Sequence, residues 1–226
     1  LKNGIGVMDR AFYIGLPSSA TASTMETSTQ ITPFFTKWKS NYNTHVNAGI
    51  IIASIAFAEA DPDLCFSTLG HALKSLEYTM YGFVPEGSWV ESNDYWGVTV
   101  ECMVKIMSAL ENSFDTDFNF GNYQGFENTC RFYASMGSSN GMLAWADGTA
   151  DSSGVSHQVF SYFAKRYNQK DIAQLRRYNI EGSYKKISYT TPGIMDVLYY
   201  TPDSSMDDMK NMPKMTATHG FESVAF

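Results

Sequence analysis

Apolar positions recur at spacings of three and four through most of the first 180 residues, and that period predicts helices. Val46 to Ala60 is apolar nearly all round, and its length and alanine content favour a buried helix over a strand despite Ile50, Ile51 and Ile52. Asp61-Pro62-Asp63 stops that helix and starts the next, with a proline suited to a first helical turn. Cys65, Leu69, Ala72, Leu73, Leu76 and Met80 then form one apolar stripe. After a loop from Tyr81 to Asp94, a third helix beginning near Tyr95 turns Val100, Met103, Val104, Met107 and Leu110 inward. Phe126, Cys130, Tyr133 and Met136 predict a fourth helix. Val155, Val159, Phe160 and Phe163 predict a fifth, and Ile172 to Ile180 a sixth.

The connections are long and irregular. Ser18 to Thr32 reads as a Ser/Thr loop, and Gly137 to Gly154 as a Gly/Ser/Asn loop enclosing Trp145-Ala-Asp-Gly148. Helices separated by such loops predict an array of α-hairpins, with no fixed repeat. After Gly182 the helical period disappears and Tyr, Ser, Thr and Pro dominate, so a second architecture of strands and turns is expected from there. The methionine-rich run Met206 to Met215 reads as an exposed connecting loop.

Composition narrows the function classes. The 226 residues are 44% hydrophobic and 17% charged, too apolar for disorder and enough for one large domain or one domain plus part of another. No apolar run reaches the roughly 18 residues a membrane helix needs. A net charge of −7 without any basic run argues against nucleic acid as a partner. Cys65, Cys102 and Cys130 are widely spaced, with no CxxC pair or Cys/His cluster, which predicts buried thiols and no metal site. The chain begins at Leu1 without an initiator Met or signal peptide and ends on the strand-like Ser223-Val224-Ala225-Phe226, so a piece of something larger is expected.

Two stretches carry candidate chemistry. Ser40 to Gly49 holds Asn41, Asn43, Asn47 and His45 at the entrance to a helix. Buried amides need partners, so the run is either helix capping, which accounts for one asparagine, or a polar site. Pro85 to Gly97 packs Trp89, Trp96, Tyr95, Glu86, Glu91 and Asp94 into a loop running onto a helix N-terminus. Aromatic faces beside carboxylates suit sugar rings; an aromatic plug with acids on the helix dipole is the equally weighted alternative.

In order along the chain, Asn-Tyr-Asn-x-x-x-Asn-x-Gly, an apolar helix, Asp-Pro-Asp, an amphipathic helix and Pro-Glu-Gly-Ser-Trp-x-Glu-x-x-x-Tyr-Trp resemble the heparinase II/III-like polysaccharide lyases. There the stretches typically read Asn-Trp-Asn-x-x-x-Asn-Gly-Gly and Pro-Asp-Gly-x-Trp-x-Glu-Gly-Pro-x-Tyr-Trp. The similarity continues through Ala109-Leu110-Glu111, Thr116-Asp117-Phe118, Gly137 to Asn140, Ala146-Asp147-Gly148 and Phe160 to Tyr167, covering roughly residues 35 to 170.

The resemblance implies a mainly α fold: part of an (α/α) toroid of helical hairpins over 1–182, then a linker and the first strands of an antiparallel β-sandwich over 183–226. It implies a periplasmic or secreted enzyme acting on an acidic polysaccharide, without a cofactor, and packing against missing parts of its own parent chain. The reaction would be β-elimination at a uronic acid. Tyr95 would be the acid/base and Asn41 the residue stabilising the C6 carboxylate, with His45 competing for that role. Trp89, Glu91, Trp96, Trp145 and Asp147 are the expected substrate contacts.

The chain departs from the pattern at Ser92 and Asn93, which replace Gly and Pro, at Asp94, whose charge opposes a phenolate on Tyr95, and at Tyr42 and Ala48. Local positive charge for a polyanion would come from Lys37, Lys39, Arg131, Lys165 and Arg166. Two other readings compete: a toroid-type glycoside hydrolase using carboxylates among Glu86, Glu91, Asp94 and Asp147, and a non-catalytic carbohydrate-binding segment.

Overall fold

The structure, a computed structural model, describes residues 4–6, 9, 39–138, 141–142, 146–148, 158–183, 193–213, 216–219 and 222–225. Trp145, Val155, His157 and Lys37 lie outside them. The described chain is mainly α-helical. It forms two compact units, one of residues 1–82 and 105–121, the other of 83–104 and 122–226.

In the first unit, α1 (Asn41–Ala56) and α2 (Pro62–Tyr81) form a helical hairpin across a five-residue connection, Phe57 to Asp61. The Asp61 carboxylate accepts from Leu64 N at 3.2 Å and Pro62 opens the first turn, so the predicted signal starts α2; it does not stop α1, which has already ended at Ala56. The α2 stripe is buried as its spacing predicts, except that Leu73 is half-buried. Helix α1 differs from expectation in two further ways. It begins at Asn41 rather than Val46, and it is not apolar on every face: Tyr42, His45, Gly49, Ile52 and Ala56 form an exposed stripe. The opposite face buries Asn43, Thr44, Asn47, Ile51 and Ser54, so polar groups carry much of its contact.

Helix α3 (Ser92–Phe114) belongs to the second unit by its first half and to the first unit by its last turns. Val100, Met103, Val104, Met107 and Leu110 are all fully buried, as the period requires. The second unit continues with two 3₁₀ turns (Phe120–Asn122 starts in the first unit, Phe126–Asn128 lies in the second) and α4 (Thr129–Ser135). A two-residue strand pair follows, β1 (Gly137–Ser138) with β2 (Gly141–Met142). Helices α5 (Val159–Arg166) and α6 (Lys170–Ser183) are joined by a tight turn, and α7 (Ile194–Leu198) packs on α5.

The methionine-rich run is not wholly a loop. Met206–Lys210 forms α8, because Ser205 Oγ accepts from Asp208 N while Asp208 Oδ2 accepts from Ser205 N at 2.8 Å, a reciprocal cap. At the end of the chain, β3 (Thr216–His219) and β4 (Glu222–Ala225) pair antiparallel with His219 opposite Glu222. All three cysteines are buried and none forms a disulfide among the described residues, and burial pushes the Cys130 thiol well above its ordinary pKa. Among the described residues no helix is long and apolar enough to cross a membrane.

The core of the second unit is aromatic. Phe83 lies 4.8 Å from Trp89 and 5.0 Å from Phe126, and Phe126 lies 5.2 Å from Phe163. Two glycines let the 83–91 loop reach this core. Gly87 at φ +92° approaches so closely that a Cβ there would sit 2.6 Å from Gly125 O and 2.8 Å from Thr129 N; Gly125, at φ +85°, answers it from the other side.

Candidate functional site

The asparagine run resolves into two environments within the first unit. Asn43 and Asn47, both fully buried, face α2. Asn43 Nδ2 donates to Ser75 O at 3.1 Å and to Ser75 Oγ at 3.2 Å, and Asn43 Oδ1 accepts from Thr79 Oγ1 at 2.9 Å. Asn47 Nδ2 donates to Asn43 Oδ1 at 3.1 Å and Ser75 Oγ at 3.0 Å. Thr79 has one hydroxyl proton and spends it on Asn43, so in the 3.0 Å Thr44–Thr79 contact Thr44 is the donor. This is a helix–helix polar network, neither a cap nor an open site. Asn41 begins α1 and is 8% exposed, while His45 lies on the exposed stripe.

In the second unit, the loop from Phe83 leads into the start of α3. Ser92 stands there at φ +74°, in the left-handed region that favours glycine, and its Oγ donates to Asn93 Oδ1 at 2.7 Å. Both residues are fully buried. The Asp147–Gly148 turn packs directly on them: a Cβ on Gly148 would overlap the Ser92 side chain and lie 2.7 Å from Asn93 Oδ1. Two separately predicted pieces, the Ala146-Asp147-Gly148 turn and the Glu91–Tyr95 helix start, are therefore brought together.

Tyr95 is half-buried in the first turn of α3. Its main-chain oxygen accepts from Thr99 Oγ1 at 2.8 Å, but its phenol hydroxyl has no hydrogen-bond partner among the described residues. Glu91 and Asp94 are half-buried and both engaged, and Asp147 is exposed. Glu86 differs: one carboxylate oxygen is buried with no hydrogen-bond partner among the described residues, as are Ser88 Oγ and Trp89 Nε1 in the same loop.

The tryptophans are a correction. Trp89 and Trp96 are 1% and 0% exposed, so neither presents a ring face on which a sugar can stack. Trp89 packs on Phe83. Trp96 stacks on Tyr133 at 4.2 Å, and its indole N–H donates to Thr129 Oγ1 at 2.7 Å, which in turn donates to Gly87 O at 2.7 Å. Both rings serve the aromatic core and pin the loop that leads to Tyr95. Trp145 lies outside the described residues.

The expected basic residues are also largely committed elsewhere. Arg131 forms a two-point ion pair with Asp171, at 2.6 Å and 3.0 Å. Lys39 lies over the Tyr81 ring, Lys165 over Tyr199, and Arg166 over Tyr162 and Tyr167. The cation that sequence reasoning passed over is Arg177, whose only signal was the Arg176-Arg177 pair in the sixth helical pattern. Its neighbour Arg176 is buried against Asp196. Asp196 Oδ1 accepts from Ser161 Oγ at 2.5 Å and Arg176 Nε at 2.8 Å; Oδ2 accepts from Arg176 Nη2 at 2.6 Å and Gly193 N at 2.8 Å. Burial pushes this carboxyl up, yet the donors from Arg176, Ser161 and Gly193 outweigh it and hold the pKa below its ordinary value.

Among the described residues no group of three or more His, Cys, Asp or Glu could hold a metal ion. The chain matches no family model and no curated protein.

Proposed function

We propose that this chain is a polysaccharide lyase segment that cleaves uronic-acid-containing glycans by β-elimination, with Tyr95 as acid/base and Asn41 or His45 stabilising the uronate carboxylate. The observation that carries the reading lies at the start of α3. The lyase pattern has Gly where this chain has Ser92, and Ser92 holds φ +74°, a backbone conformation that glycine adopts freely and serine rarely does. A glycine in the pattern would suit this left-handed backbone, which supports the reading, and the turn leads to a half-buried tyrosine whose hydroxyl is committed to no described protein group.

A phenol so placed suits both halves of the reaction. As phenolate it takes the C5 proton, and the resulting phenol protonates O4 as the C4–O4 bond breaks and the C4–C5 double bond forms. The enolate-like charge on the C6 carboxylate needs a hydrogen-bond donor, and an asparagine amide or an imidazolium supplies one. An enzyme of this class meets polymeric substrate outside the cytoplasm, in the periplasm or after secretion. The toroid and sandwich belong to the same proposal: α-hairpins such as α1–α2 and α5–α6 are the units of the first, and the β3–β4 hairpin suits the start of the second.

The test is ultraviolet absorbance of the unsaturated uronate released from a panel of uronic-acid polysaccharides. The expected result is a rise that Tyr95→Phe lowers by about 10²- to 10⁴-fold and Asn41→Ala also lowers. Reducing ends appearing without absorbance would overturn the lyase reading in favour of hydrolysis. In that case the unpartnered Glu86 carboxylate and the exposed Asp147 become the residues to replace. Glycan binding with neither product would leave a non-catalytic carbohydrate-binding segment.

A further inference from the structure

The second unit contains a cavity of about 530 Å³ framed by α5, α6 and α7, with Tyr200, Thr201 and Pro202 along one side. That volume falls within the roughly 300–1,000 Å³ typical of small-molecule sites. Part of its lining is inert: the buried Arg176 and Asp196 neutralise each other, and Ser161 is held by the same carboxylate.

Neither of the two remaining charges meets an opposite charge among the described residues. Arg177 donates from Nη1 to Ser204 O at 3.3 Å and from Nη2 to Pro202 O at 2.6 Å, and no carboxylate pairs with it among the described residues. A guanidinium has five N–H donors, so three are left, with the full positive charge on a half-buried side chain lining the cavity. Glu181 lies one helical turn further along α6 and lines the same cavity. Among the described residues it makes no hydrogen bond or ion pair of its own, although an Arg/Glu pair at this spacing ordinarily meets. An anion seated on Arg177 would gain charge-assisted hydrogen bonds, two of them forked in the case of a carboxylate. Hydroxyls on the same molecule could donate to Glu181, and Ala164, Ala173 and Ile180 offer apolar wall to a C–H face.

We infer that this cavity binds a small polyhydroxylated carboxylate, a single hexuronate unit, with its carboxylate on Arg177 and its hydroxyls on Glu181. The identity of the ligand rests on the proposed glycan reading, and the site would be a holding subsite in which no bond is made or broken.

The experiment is a titration of the protein with glucuronate, and separately with glucose, followed residue by residue through backbone amide NMR. The expected result is saturable shifts at Ala173, Arg177 and Ile180 with glucuronate, weakened by added salt, and none with glucose. Arg177→Gln should lower the affinity at these residues at least about tenfold. Ala173→Phe, which keeps Arg177 but fills the space, should abolish the shifts and serves alone should Arg177→Gln fail to fold. Glucuronate leaving these amides unmoved, glucose moving them equally, or shifts surviving both substitutions would overturn the inference. Failure here with Tyr95-dependent elimination intact would leave the lyase reading standing. Binding here without elimination would do the reverse.

Discussion

Replacing Asp196 with alanine offers a sharp check on the energetics of the second unit. The side chains of Arg176 and Asp196 are 3% and 7% exposed, so the pair is nearly dry. Asp196→Ala removes acceptors for four donors and strands a buried guanidinium. Breaking one side of such a pair costs about 3–5 kcal/mol, most of it the unmet charge. For a chain of this size each kcal/mol moves Tm by about 2–4 °C, so a fall of roughly 6–20 °C is expected by calorimetry at neutral pH. The double replacement Arg176→Met with Asp196→Leu should recover most of that loss, because it removes the stranded charge with its partner. The pH dependence has a definite sign. The folded pKa of Asp196 lies below its unfolded value, so the carboxylate's contribution is complete above the unfolded value of about 3.9 and is lost as pH falls through the folded one. The gap between wild type and Asp196→Ala should therefore narrow in acid. A loss under about 1 kcal/mol, or a gap that widens on acidification, would refute the reasoning.

Two further substitutions probe other parts of the fold. Asn43→Ala leaves the Thr79 hydroxyl, an Asn47 N–H and the Ser75 carbonyl short of partners in a fully buried interface, so urea unfolding should show a loss of about 2–4 kcal/mol, and a loss under about 1 would mean that water replaces the amide. Gly87→Ala combines a left-handed backbone with a Cβ 2.6–2.9 Å from main-chain atoms of residues 125 and 129; a drop of about 2–4 kcal/mol is expected, and an unchanged Tm would show that the loop is not pinned there.

Which side chains meet which was only partly legible in the chain. The asparagine run announced buried polarity, because three amides at a helix entrance exceed what capping consumes. Its use was not legible, because Ser75 and Thr79 lie on another helix and face Asn43 only in one register of the α1–α2 hairpin. Trp89 and Trp96 stood out as large aromatics beside acids, yet stacking on a sugar and stacking on Tyr133 are the same chemistry with a different partner. The fate of Arg131 likewise turned on Asp171, forty residues away in sequence. Arg177 was invisible because which carboxylates reach a cation is decided by tertiary packing.

Local signals determined what local physics controls. Spacing located the buried stripes of α2 and α3, and Asp61-Pro62 placed the start of α2 to the residue; the strands and turns expected after Gly182 give way at Ile194–Leu198 and Met206–Lys210 to short helices. Those features depend on side-chain periodicity, fixed φ at proline and a carboxylate three residues from an amide donor, all readable within a few positions. The tertiary structure alone decided that Gly148 seats its turn on Ser92 and Asn93, that the indoles are core, and that Arg177 and Glu181 border one cavity. Each of these depends on packing against residues far apart in the chain, as the cavity beside Arg177 and Glu181 depends on Ser161, Asp196 and Pro202, and no short-range pattern encodes it.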